Sequence, residues 1–158
     1  TLVPAASGPV RTGRVRRAAA GLDPETVAAQ WGGGPIRDVV PYGAVADHDA
    51  GVAVVDAPAS FAEAATGLAA AGAQVVVHAT ADGVPTGHPV VPVVKVSGDA
   101  ETVAALPEDV DVDASPGADR DPAAALRERV LAVADGEPAA AEAHGLSAFA
   151  ITRVGPSV

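Results

Sequence analysis

Three short apolar runs constrain this chain most: Val52-Ala-Val-Val55, Gln74-Val-Val-Val-His-Ala79 and Pro92-Val-Val-Lys-Val96. They are continuously apolar instead of alternating with polar residues, the pattern of strands buried on both faces. Segments of helical periodicity lie between them. Ser60 with Glu63 forms a capping-box pattern, and Phe61, Ala64, Ala65 and Leu68 share one face of a helix ending near Gly72. Asp99 can cap a short helix through Val103 that Pro107 stops. Asp121-Pro122 starts a longer helix with Leu126, Val130, Val133 and Ala134 on one face and Gly136 at its end. Alternating strand and helix predicts an α/β fold: a doubly wound, mostly parallel sheet in a Rossmann-like three-layer domain.

Weaker signals complete the outline. Ile36 to Tyr42 has strand character but contains Pro41, so it reads as an edge strand or extended segment. Val110 to Val112 is a thin strand between acids, and Phe149 to Val154 a candidate last strand. Residues 1–20 show no sustained periodicity, Asp23-Pro24-Glu25 is a helix start, and Gly32-Gly-Gly34 a flexible joint. These features predict an N-terminal arm, short helix and linker over 1–34 and an α/β domain over 35–158. The chain has no internal repeat.

Apolar residues make up 49% of the 158, yet Trp31, Tyr42, Phe61 and Phe149 are the only aromatics. A core of Ala, Val and Leu gives thin, closely packed layers, which suits this alternation. No apolar run approaches the roughly 18 residues that span a bilayer, so no membrane role is expected and the chain reads as cytoplasmic. The chain lacks methionine, so Thr1 is not an initiator; the chain is either processed or cut from something longer. Lacking cysteine, it has neither disulfides nor thiolate chemistry.

The formal net charge is −10, although Arg11, Arg14, Arg16 and Arg17 sit in a stretch of 20 residues without an acid. The rest of the chain therefore repels phosphates, and no nucleic-acid role is expected of it. The arginines read as a solvated arm or as partners of the acidic body. Many acids with one lysine suggest a halophilic, high-salt setting in which salt screens self-repulsion.

The loop after the second apolar run concentrates candidate chemistry. Thr80, Asp82, Gly83, Thr86, Gly87 and His88 crowd together, beyond the carboxyl end of a strand, where open α/β sheets bind ligands. One reading is an anion cradle of backbone N–H groups and hydroxyls; the other is an ordinary connection rich in turn residues. Lys95, the only lysine, sits within an apolar run, where an ammonium is costly to bury unpaired. It can pair with Asp56 or Asp99, bind an anionic substrate, or extend to solvent at the strand end. His78 reads as a core histidine before a catalyst, and His88 as the better proton-transfer candidate. His48 and His144 lack ligand spacing, and Glu108 to Asp113 matches no calcium loop. No serine stands in a nucleophile elbow, and there is no dinucleotide fingerprint or P-loop.

Five segments carry a resemblance. They are Pro35-Ile-Arg-Asp-Val-Val-Pro-Tyr-Gly43, Asp56-Ala-Pro58, Ala65-Thr-Gly-Leu-Ala-Ala-Ala-Gly-Ala-Gln74, Thr80-Ala-Asp-Gly-Val-Pro-Thr-Gly-His-Pro89 and Pro92-Val-Val-Lys-Val-Ser97. In order and spacing they resemble the C-terminal part of the altronate/galactarate dehydratase family of sugar-acid dehydratases, whose relatives include sulfolactate sulfo-lyase. The resemblance implies a hydro-lyase that removes water from an aldonate or aldarate to give a 2-keto-3-deoxy acid. It implies a divalent metal such as iron, with ligands outside this chain, and the remaining dehydratase domains or a partner subunit. A homo-oligomer is the other assembly expected. On this reading Thr80, Gly83, Thr86 and Gly87 bind the substrate, and His88 and Lys95 are catalytic. One departure stands out. Where the family has Thr-Thr-Gly-Arg-Gly, this chain has Ala79-Thr-Ala-Asp-Gly83, so Asp82 reverses a charge. Three explanations are open: a different substrate, a compensating cation elsewhere, or a non-catalytic accessory domain that binds a small acid or stabilises a partner subunit.

Overall fold

The computed structural model describes residues 2–4, 36–47, 50–58 and 60–151. The helix expected after Asp23 lies outside the described residues. All strand pairing in the described residues is parallel, as continuous apolar runs predict, but it falls into two three-stranded sheets. These belong to two compact units, one formed by Thr1–Ala73 with Phe149–Val158 and the other by Gln74–Ala148.

In the first unit, β1 (Leu2–Pro4) and β2 (Ile36–Val40) flank β3 (Val52–Val55). The sequence places Leu2–Pro4 in an arm; they pair instead with Ala53 to Val55. Three residues are too few to show a period. β2 is an edge strand ending just before Pro41, as the missing N–H requires. Helix α1 (Phe61–Ala70) buries Ala64, Ala65, Gly67 and Leu68. Ser60 stands at its N-cap without a side-chain bond, so the capping box suggested by Glu63 does not form. Gly72 follows the helix at φ +104, a conformation that favours glycine. A Cβ on Gly67 would lie 2.7 Å from the Tyr42 ring, so glycine here makes room for the aromatic.

In the second unit the strand order is β4 (Val76–Ala79), β5 (Val93–Ser97) and β6 (Val112–Asp113). Between β5 and β6 runs α2 (Ala100–Ala105), capped by Asp99, whose carboxylate accepts the Thr102 N–H at 2.8 Å. Helix α3 (Pro122–Ala134) is capped in the same way by Asp121 at Ala124. A short helix absent from the sequence reading, α4 (Ala140–Ala143), follows; Glu142 accepts the Ala139 N–H at 2.9 Å. Val94, Val112, Val133 and Ala139 form the core, flanked by Val75, Val96, Ala125, Leu126 and Val130. Ala134, expected on that face of α3, is exposed. Residues 149–151 form no strand, and 152–154 lie outside the described residues.

Candidate functional site

The second unit positions the candidate residues. In the parallel register His78 stands opposite Lys95, and Val76 opposite Val93. Side chains alternate across a strand, so Val93, Lys95 and Ser97 share one face of β5, and Val94 and Val96 the other. Val94 and Val96 pack in the apolar core. Lys95 and Ser97 are enclosed, at 1% and 0% exposure.

The Lys95 ammonium donates to the Pro85 carbonyl at 2.6 Å. Of the carboxylates offered by sequence, Asp99 caps α2 and Asp56 belongs to the other unit. The expectation that Lys95 pairs with one of them is thus replaced by a bond to the loop backbone. Burial pulls the Lys95 pKa down, and the charges of Asp111 and then Asp109 oppose that fall. His78 is held below the usual imidazole range, chiefly by burial and secondarily by Lys95. His88 is buried and likewise depressed by burial. Its Nδ1 accepts the Val90 N–H at 3.3 Å, so Nε2 carries the proton of the neutral ring. In this tautomer Nε2–H is a donor, which suits holding an oxygen better than abstracting a proton.

The loop between β4 and β5 is pinned along its length. The Thr80 N–H donates to Val96 O at 3.0 Å, and the Thr102 hydroxyl to Ala81 O at 2.5 Å. Gly87 donates to Leu146 O at 2.9 Å and accepts from the Ala148 N–H at 3.2 Å. The amides of Thr80 and Gly87 are therefore spent inside the protein, which leaves the expected cradle to the other amides and the hydroxyls of the loop. The glycines serve packing. Gly83 is buried at φ +62, and a Cβ there would lie 2.5 Å from Leu106 Cδ1. A Cβ on Gly87 would lie 2.9 Å from that of Ala141. Thr80 and Thr86 are half-buried, and Asp82 is exposed.

Sequence reasoning missed Asp111, whose side chain is 0% exposed beside Arg129. Its spacing with Asp109 and Asp113 mimics a half-exposed strand, which hid it. The available signal was Arg129 next to the apolar stripe of α3. Among the described residues no group of three or more His, Asp or Glu side chains is placed to hold a metal ion. His144 instead pairs with Asp109 at 3.1 Å and Glu108 at 3.9 Å.

Residues 27–157 match the family model described as D-galactarate/altronate dehydratase, C-terminal. The chain belongs to this family. The match covers the loop and both strands of the candidate site, as the resemblance implied. No curated protein matches the chain. Among the described residues no helix is long and apolar enough to cross a membrane.

Proposed function

We propose that this chain is the C-terminal domain or a subunit of a sugar-acid dehydratase, with the second unit's loop and Lys95 lining the substrate site. The observation that carries the reading is the membership of residues 27–157 in the dehydratase family, with the enclosed Lys95 ammonium against the loop carbonyl at its centre. A doubly wound, Rossmann-like layering is part of this proposal, supported by the parallel strand pairing among the described residues.

Dehydration of a 2,3-dihydroxy acid removes the proton on the carbon beside the carboxylate and expels the neighbouring hydroxyl as water. The resulting enol becomes the 2-keto-3-deoxy acid. Lys95 would hold the substrate carboxylate once Pro85 O yields its place, because the ammonium can exchange one oxygen acceptor for another. The Nε2–H of His88 would donate to a substrate oxygen, and the Thr80 and Thr86 hydroxyls would bind others. Gly83 and Gly87 would shape the pocket by letting the loop pack closely. A divalent metal, iron in the family resemblance, would polarise the carboxylate and would take its ligands from the remaining dehydratase regions. The protein would act in the cytoplasm, with those regions in the same protein or a partner subunit, or as a homo-oligomer.

A non-catalytic, acid-binding accessory domain is the second reading. The exposed Asp82 and the spent amides of Thr80 and Gly87 favour the form of it in which the domain stabilises a partner subunit over the form that binds a small acid. Turnover of D-galactarate or altronate with ferrous ion separates the two, read as 2-keto-3-deoxy acid, with and without the remaining dehydratase regions. Turnover by the chain alone excludes the accessory reading. The dehydratase reading expects Lys95→Ala to lower the rate on the order of 100-fold; an unchanged rate in the complete enzyme overturns Lys95's role.

A further inference from the structure

Asp111 occupies a position no catalytic pattern marks. Its N–H donates to the Lys95 carbonyl at 3.0 Å, while its Oδ2 accepts the Lys95 N–H at 2.8 Å. One residue thus holds both main-chain polar groups of Lys95, one place before β6 begins. Its Oδ1 accepts Arg129 Nε at 3.0 Å and the Ala140 N–H at 3.0 Å, and forms an ion pair with Arg129 Nη2 at 2.9 Å. Arg129 is oriented in turn by Pro138 O at 2.7 Å and Glu137 at 3.3 Å. Ala140 opens α4, whose Ala141 lies against Gly87 of the loop.

The geometry points to Asp111 as a positioning residue: its single enclosed carboxylate fixes both the place of Lys95 and the α4 wall behind Gly87. This rests on the dehydratase reading only in calling that place a substrate site. Breaking a buried ion pair is costly, but an apolar replacement of the pair is often neutral. What an apolar pair would not reproduce is the pair of main-chain N–H groups it accepts, from Lys95 and Ala140, and its negative charge near the ammonium. Burial weakens Lys95's hold on its proton, and Asp111 and then Asp109 strengthen it. His78 on the neighbouring strand, Arg129 on α3 with its partner Glu137, and His144 against Asp109 are further titratable or charged groups around this frame. Removing the Asp111 charge should leave the ammonium less willing to stay protonated.

Because Lys95 is the only lysine, lysine labelled with carbon-13 and nitrogen-15 gives one side-chain signal whose titration reads it directly in the full chain. In Asp111→Asn its midpoint should move to lower pH. In Glu128→Gln, which removes an exposed carboxylate paired with Arg120, the midpoint should stay. An unmoved midpoint in folded Asp111→Asn overturns the proposal. If Asp111→Asn fails to fold, the unsubstituted chain decides: the Lys95 main-chain N–H should resist hydrogen exchange as strongly as the Val94 N–H. Exchange of the Lys95 N–H at the rate of exposed loop amides also overturns it. Neither readout is turnover, so failure here and failure of the dehydratase reading are separate results.

Discussion

The two faces of β5 are buried alike but built differently. One face sets Val94 and Val96 in an apolar cluster with Leu126, Val130 and Val133. The other sets Val93, Lys95 and Ser97 in the same burial, with Lys95 beside His78 in register. The apolar face accounts for itself through hydrophobic burial. An ammonium and an imidazole in the same strand pair work against stability, since burial opposes charge on both. A fold that keeps them there gives up stability at that place, which is the usual mark of a working surface.

The largest effect should come from the loop that covers the polar face. Gly83→Ala adds a Cβ 2.5 Å from Leu106 Cδ1 at a φ of +62, so urea unfolding should show a loss of about 3 kcal/mol. A loss below about 0.5 kcal/mol would show the loop to be loosely held. Next comes the apolar face: Val94→Ala should cost about 2 kcal/mol by the same measurement while leaving the Lys95 side-chain signal in place. If that signal moves as well, the two faces are not independent.

Lys95→Met should raise stability by about 1 kcal/mol, because an apolar chain of similar length replaces a buried charge. A large loss instead would make Lys95 a structural strut. The smallest effect is expected from pH. His78 and His88 are both held below 6.5 when folded, so the unfolded chain takes up protons first as the solution is acidified. Their contribution is complete above that value and shrinks as pH falls through and below it. The urea midpoint should therefore drop on acidification from about pH 8 to about pH 5.5, and His88→Gln should reduce that drop. An equal drop in His88→Gln removes His88 from the effect.

Much of this contrast was legible in the sequence. Val52–Val55 and the valines around Lys95 announced buried parallel strands, and Asp99 and Asp121 announced helix starts that the structure bears out. These signals are local, resting on periodicity and on one side chain reaching its own backbone. What was hidden is non-local. The Lys95 bond to Pro85, the clasp of Asp111 on Lys95 and the packing of Gly87 on Ala141 join residues far apart in the chain. What the loop glycines pack against, Leu106 and Ala141, is likewise set by residues distant in the chain. Ala140–Ala143 is too short and too rich in alanine to show a face, and Leu2–Pro4 gains its strand character only from β3.

Titrating D-galactarate into the lysine-labelled chain, with a neutral sugar as control, puts the polar face to the most immediate trial. Saturable movement of the lone Lys95 side-chain signal with the acid, and none with the neutral sugar, is expected if the ammonium leaves Pro85 for a carboxylate. A signal that stays fixed, or moves equally with both, would contradict a sugar-acid site at Lys95.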